Sequence, residues 1–464
     1  MFGVYRLLFD RDWMIAQLAD MTDETGKPVR LYWRLYTPLI TLWGMLYQRL
    51  NADHSVDAAL VHLLAGGANG LDAHDRGRKK IAKGVQSNST SAYAQARERL
   101  PIGLVEAGLS HVHEKVTKMM GEIGMWRGHS IRLLDGTTYR MAPQGDLAAT
   151  YGQAKNQHGK SHWVIAKSMA SFDWKTGCAI GHAEGPGEAG EVGLVHGVLQ
   201  KDTQPNSLYL MDQGLGLYCV AQSARANGQH VLMRMQKVRA LALLKGSGYG
   251  PLGNGEEATV TWQAGSARTE PGLSTDPIIG RLIYRRIETP GFRPLEIYLF
   301  TTLLDPQTYP QEELVEIAAK RWQVEPNYRH IKTDMGMDDF KVKSAEMFRR
   351  ELAVGLLAYN LIRALMAQAA KNAGIAPLRL SFTRCMRRIV YVCTIGVPDR
   401  VLAESLSVLD FLLSHLAQCA LPNQPNKVKH EPRAVRRKPA VYQSLKGDRD
   451  EARRQLLDPR AAIS

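Results

Sequence analysis

The sequence predicts an α/β protein whose strands lie in the middle of the chain and whose two ends are helical. Three observations carry that reading. Residues 1 to about 125 show the three- and four-residue apolar spacing of helices and almost no strand signal. From about residue 129 the pattern turns to short apolar runs in the order strand, strand, strand, helix, strand, helix, strand. Between about 236 and 300 a Gly- and Thr-rich stretch adds further strands, and helices resume after Leu304.

At the N-terminal end, Leu39, Leu42, Leu46 and Leu50 mark one helix, and residues 55–64 a shorter one with Asp57 in its first turn. A glycine- and charge-rich loop follows, and then SNSTSAYAQARERLP, where Ser89 or Ser91 can cap a helix bearing Tyr93, Arg97 and Arg99. That stretch is either a solvated helix start or part of a small helical DNA-binding domain whose arginines meet phosphates. IRLLDGTT reads as a short strand ending in an acidic turn at Asp135, and HWVIAKSMASFD and CAIGHAEG as two longer strands joined by WKTG. Residues 188–199 and 217–226 are predicted helices; between them SLYLMDQG is a strand ending in Asp212, and HVLMRM is the fifth strand, carrying Arg234. Strands at 258–262, 282–287 and 295–301 form a β insertion, with Trp262 in the first of them. Helical pattern then runs from 304 through 370 and over roughly 383–416. The tail beyond Pro422 holds Lys427, Lys429, Arg433, Arg436, Arg437 and Lys438 among prolines without periodicity, a composition that orders only against something anionic. The pattern changes divide the chain at 1–125, 126–235, 236–300, 301–375 and 376–464.

With 464 residues there is chain enough for two or three domains with real cores. Against 45 acidic residues stand 59 basic ones, a net charge of +14, which suggests a polyanionic partner. Five scattered cysteines without paired CxxC spacing argue against a disulfide framework and a zinc site, and for a reducing cytosol. MFGVYRLLFDRDW lacks the basic-then-apolar order of a signal peptide. The most apolar stretch, 352–370, is interrupted by Asn360 and Arg363 and reads as a buried amphipathic helix rather than a membrane span. Nucleic acid, not lipid, is the expected partner.

The stretch EELVEIAAKRWQVEPNYRHIKTDMGMDDFK (312–341) is predicted to be helical over its first two-thirds, with Thr308 and Pro310 as start signals and Gly336 as a stop. On such a helix Arg321, Glu325, Tyr328 and Lys332 share one stripe, with Val324 and Ile331 beside it facing a core. The stripe alone could be a solvated ladder of charges. Pro326 disfavours helical geometry at Glu325, so either the helix kinks there or a new helix starts with Pro326 as its first residue.

The spacing Arg-x3-Glu-x6-Lys, with Trp322 after the arginine, resembles the signature of bacterial insertion-sequence transposases of the DDE type, and most closely the insertion-sequence-four family. That family's pattern is Tyr-x2-Arg-x3-Glu-x6-Lys; Arg321, Glu325 and Lys332 match it, while Ala318 stands at the tyrosine position. DGTT at 135–138 and DQGLG at 212–216 look like its first two acidic motifs, and SNSTSAYAQARERLP resembles the corresponding N-terminal region. The resemblance implies a ribonuclease-H-like catalytic domain interrupted by a β-rich insertion, between helical N- and C-terminal regions. It implies cut-and-paste movement of an insertion sequence, by 3′-end cleavage and strand transfer at terminal inverted repeats. A homodimer on double-stranded DNA, in the bacterial cytoplasm at the nucleoid, is the expected assembly.

Asp135, Asp212 and Glu325 are then the expected catalytic and metal-binding set. Each aspartate alone is equally readable as an ordinary turn or helix cap. Phosphoryl transfer on DNA calls for hard divalent cations, which choose carboxylate oxygens. Two Mg²⁺ ions about 3.5–4 Å apart, replaceable by Mn²⁺, would activate the attacking oxygen and stabilise the leaving one. The family's counterparts of Arg321 and Lys332 contact phosphates near the cleaved end. Arg234, Tyr328, Arg97 and Arg99 are further candidates for DNA contact, as are Arg329 and His330 beside them. Trp262 is the candidate for holding a flipped base, although a strand tryptophan is more often core.

Overall fold

The computed structural model describes residues 2–19, 21–22, 28, 35–69, 71, 89–121, 125–156, 159–202, 204–265, 272–288, 294–394 and 407–422, together with 448, 451 and 454. Most of the glycine- and charge-rich loop and the six basic residues named in the tail lie outside this set. Among the described residues six helices come first: α1 (Phe2–Leu8), α2 (Arg11–Ala19), α3 (Pro38–Leu50), α4 (Val56–Leu64), α5 (Ser91–Arg99) and α6 (Ile102–Met120). Thr37 caps α3 by accepting the Ile40 N–H at 3.3 Å, with Pro38 in the first helical position, and Ser55 caps α4 through the Ala58 N–H at 3.0 Å. On α5 the cap position falls on Thr90 rather than on either serine, because the Ser89 hydroxyl is taken by the Ser91 N–H.

The strands follow as β1 (Met125–Trp126), β2 (His129–Met141), β3 (Gln153–Asn156), β4 (Gly159–Asp173), β5 (Ala179–Pro186), β6 (Leu208–Met211) and β7 (His230–Met235), then β8 (Glu257–Trp262), β9 (Ile278–Ile287) and β10 (Leu295–Thr301). Helices α7 (Leu147–Tyr151), α8 (Glu191–Lys201), α9 (Tyr218–Ala226) and α10 (Lys237–Gly246) interleave with them. One mixed sheet runs in the order β3-β4-β2-β6-β7-β10-β9-β8. Its centre, β2-β6-β7, is parallel, and β4 on one side and β10-β9-β8 on the other are antiparallel. The segment read as an insertion thus extends the same sheet from β7. The C-terminal part holds α11 (Gln311–Lys320), α12 (Val324–Arg329), the short strand β11 (Asp339–Phe340) beside β2, then α13 (Ala345–Asn372), α14 (Phe382–Thr394) and α15 (Val408–Ala417).

Alternation along the strands sorts side chains onto two faces. Leu133, Leu210, Leu232 and Leu299 face a core shared with α13 and the N-terminal helices, while Leu134, Met211, Met233 and Phe300 face the helices α8 to α10. The boundaries at 125, 300 and 375 are therefore changes of pattern within one packed core. Helix α13 is long and apolar enough to cross a membrane, yet 89% of its apolar window is buried inside the protein, which makes it the central core helix. Its buried polar side chains are tied down, with Arg350 Nη1 left unpaired. Asn360 exchanges two 2.7 Å hydrogen bonds with the backbone of Ala179, and Arg363 donates to Tyr359 and Asn327. Glu351 accepts from Arg49 of α3 at 2.7 Å and from Arg97 of α5.

Burial alone would raise the Glu351 carboxyl, but the two guanidiniums outweigh it and hold the group below its ordinary 4.5. Its stabilisation is therefore complete above that value and is lost as the pH falls through the lower folded value. Glu351→Gln leaves two buried arginines without their counter-charge and should cost about 3–5 kcal/mol in denaturant unfolding at neutral pH. The difference from wild type should shrink on acidification.

Candidate active site

The site begins in the parallel pairing of β2 with β6. Strand β2 does not end in a turn at Asp135 as expected: its antiparallel pairing with β4 carries it on through Asp135 to Met141, and only its pairing with β6 stops short of the aspartate. The paired couples are Ile131 with Leu208, Arg132 with Tyr209 and Leu133 with Leu210. Two residues further on, the same register sets Asp135 beside Asp212, about one strand spacing (~4.8 Å) apart. Because Leu133 and Leu210 face the α13 side, so do the two aspartates. Asp212 follows the last residue of β6, and its Oδ1 accepts the Gly214 and Leu215 N–H groups at 3.0 and 3.1 Å, an Asx turn that leaves Oδ2 for other partners.

The segment predicted to be helical over the first two-thirds of 312–341 arrives on this face in four pieces. Helix α11 ends at Lys320, a 3₁₀ turn covers Arg321–Gln323, and α12 starts at Val324. The ring of Pro326 would collide with the carbonyl of residue 322 in a continuous helix. A fresh start at Val324 places the proline in the first turn, where its missing N–H has no intrahelical partner to lose. Of the two expectations the new helix is the one observed, beginning two residues earlier than expected. A π-turn, His330–Asp334, then carries Lys332, and Gly336 stops the run at a φ of +65°.

Three of the four stripe residues reach β2. Arg321 lies 3.3 Å from Asp135 Oδ2, the Tyr328 hydroxyl donates to the Asp135 carbonyl at 2.6 Å, and Lys332 donates to the Thr138 carbonyl at 3.0 Å. Lys332 also pairs with Asp338 at 3.0 Å and, with Arg140, holds that carboxyl below its ordinary range. Burial raises the Asp135 carboxyl above 3.8; the Gly136 N–H and Arg321 oppose the shift, and the charges of Asp212 and Glu191 add to it. Glu191, the first residue of α8, is an acid that the sequence reading passed over, since a glutamate in a helix's first turn is commonplace.

Glu325, between Arg321 and Tyr328 on the stripe, is exposed. Among the described residues no three His, Cys, Asp or Glu side chains stand close enough to hold one metal ion. The donor set nevertheless has the right chemistry for a hard cation: two neighbouring carboxylates, one of which meets a guanidinium where positive charge is wanted.

Several candidates for DNA contact are turned inward. Tyr328 is 8% exposed with its hydroxyl spent on Asp135, so it props the site rather than facing a ligand. Arg97 is consumed by Glu351 in the interior. Trp262 is buried against Phe300, ring centroids 4.9 Å apart, and Tyr218. His330 stacks on Phe382 and faces Arg363; burial, then Arg363 and Arg329, push its pKa down to about 3, so it stays neutral. Arg99 and Arg329 are exposed, and Arg321, Lys332 and Arg234 are half-buried.

Arg234 shares the aspartates' face and lines a cavity of about 620 Å³ between the sheet and α11, with Asp212, Arg321 and an apolar floor that includes Leu232 and Leu299. Ala318 also lines it. Ala318→Tyr can therefore place its ring in open space, at a cost below the roughly 1–3 kcal/mol of overpacking a filled core, measured by denaturant unfolding. Asp135→Asn should raise the thermal midpoint at neutral pH. A carboxyl whose folded value is raised loses stability as the pH climbs from 3.8 through that value, and the amide does not ionise. An unchanged midpoint in calorimetry would show the aspartate to be unstrained.

Residues 126–361 match the family described as the Transposase DDE domain, a span that includes Asp135, Asp212 and the whole Arg321–Lys332 stripe. The transposase InsG for insertion sequence element IS4 of Escherichia coli (strain K12) is 25% identical over 303 residues, 63% of this chain. The match spans 65% of that relative's own length, just under two thirds. Among solved structures, a cryo-EM structure of the piggyBac transposase synaptic complex with hairpin DNA aligns over 92% of this chain and 86% of its own, at 12% identity and a TM-score of 0.38, a likeness too distant to bear on the fold. With just over half of its residues aligned to the Transposase DDE domain, the chain belongs to that family.

Proposed function

We propose that the chain is a DNA transposase that moves the element encoding it by cut-and-paste. The supporting observation is the pair Asp135 and Asp212, one midway along β2 and the other just past the end of the parallel strand β6, with Arg321 and Tyr328 from the segment that carries Glu325 docked on the first of them. The sheet around them is read as ribonuclease-H-like, with β8 to β10 as its inserted part. Asp135, Asp212 and an inward-turned Glu325 would hold two Mg²⁺ or Mn²⁺ ions, which supply activation of the attacking oxygen and stabilisation of the leaving one. Arg321 and Lys332 exchange their present carboxylate and carbonyl partners for phosphate oxygens at the scissile end, the guanidinium fork fitting them in bidentate fashion. Arg234, at the mouth of the adjoining cavity, adds positive charge on the same face.

Water attacks the phosphodiester at each terminal repeat and frees a 3′-hydroxyl. That hydroxyl then attacks a target phosphodiester in the same site. Two ends cut in concert call for a homodimer on DNA, acting at the bacterial nucleoid in the cytoplasm.

The exposed Glu325 favours a second reading, a transposase-derived protein that binds DNA without cutting it. Incubating the purified protein with the terminal repeats of its own element and a divalent cation separates the two. The transposase reading requires 3′-end cleavage and joined products; cleavage without joining would leave a nuclease, and binding alone the second reading. Asp135→Asn, Asp212→Asn and Glu325→Gln should each lower both steps by more than the roughly 10–100-fold typical of even the outer partners of metal ligands. DNA binding should persist in all three. A Glu325→Gln variant that cleaves at the normal rate would move the third carboxylate elsewhere.

A further inference from the structure

Helix α14 carries Arg384, Arg387, Arg388 and Tyr391, whose spacing of three, one and three residues puts them within an arc of about 100°. The opposite face is core, with Phe382, Cys385 and Ile389 at most 2% exposed. The helix contains no acidic residue. Arg384 and Arg387 are exposed, and among the described residues neither forms an ion pair, whereas Arg388 donates to Cys419 Sγ at 2.7 Å. Between this face and α15 lies a groove of about 450 Å³, closed on its far side by Phe411 and His415, whose rings stand 4.1 Å apart. Guanidiniums along one rim with aromatic and apolar surface beneath suit a sugar-phosphate chain, whose charge lies outside and whose deoxyribose faces are apolar.

The groove abuts the glutamate helix. Thr383, at the start of α14, donates to Asp334 at 2.9 Å, and Asp334 closes the π-turn that carries Lys332. Asp334 and Arg387 also line one shallow depression together with His54.

We infer that the arginine face of α14, with the groove against α15, is a second DNA-binding surface that grips duplex backbone beyond the candidate active site. The inference rests on the DNA-acting reading above. Charge complementarity and continuity with the π-turn favour a duplex over an acidic protein.

The test uses the full chain as wild type and as Arg384→Gln/Arg387→Gln, with a random-sequence duplex several helical turns long and with polyglutamate. Both arginines are exposed, so the double variant keeps the fold, checked by its unfolding midpoint. It should bind the duplex about tenfold or more weakly, with a log K against log salt slope shallower by about two, each lost phosphate contact removing about 0.9. Wild-type affinity and slope in the double variant would overturn the inference, as would loss of polyglutamate binding with duplex binding intact. If the double variant loses duplex binding while the wild type never cuts element ends, the surface stands and the transposase reading falls.

Discussion

Everything at the site depends on the register of β2 against β6, and a buried charge network holds that register. Arg132, fully buried, donates to Asp173 at the end of β4 and to Asp202 after α8, both at 3.1 Å, and to Gln204 at 2.8 Å. Tyr209, its partner on β6, donates to the same Asp202 at 2.8 Å. Three strands are thereby pinned three residues below Asp135. A slip of one residue would turn Asp212 to the α8–α10 face and leave Asp135 without its neighbour. Such a network adds little net stability once its desolvation is counted, but it permits one alignment and forbids the adjacent ones.

The cations around the site are paired before any ligand arrives: Arg321 with Asp135, Lys332 with Asp338, and Arg140 with Asp338 at 2.6 Å. Left unpaired, these neighbouring cations would repel one another. These pairs are partly exposed and individually weak, so a phosphate can displace them at small cost. Tyr328 and Pro326 hold the segment in place, one by its bond to the Asp135 carbonyl, the other by fixing where α12 begins.

The sequence showed the α/β class, the position of Asp212 at a strand end, and the break at Pro326, because these depend on local periodicity and backbone chemistry; it missed that β2 runs on past Asp135, which the distant partner strand β4 decides. What it hid depends on long-range partners. Arg97 looked like a surface arginine and is buried, since only the approach of Glu351 supplies its counter-charge. Tyr328 and Trp262 carry ring and polar atom alike, and nothing in their neighbours along the chain says which of the two will meet solvent. The strands beyond residue 257 were visible as strands, but their pairing with β7 was not, because edge-to-edge continuation has no sequence period of its own. Glu191 went unnoticed for the converse reason: its local role as a helix-start acid already explained it.

The bond between Arg49 and Glu351 joins residues 302 positions apart in the chain. On a ribosome adding roughly 5–20 residues per second, the arginine waits on the order of 15–60 s for its carboxylate to be made. During that interval the N-terminal helices cannot settle into their final packing, because two guanidiniums would be buried without a counter-charge. A translation product truncated before Glu351 therefore lacks a finished N-terminal fold.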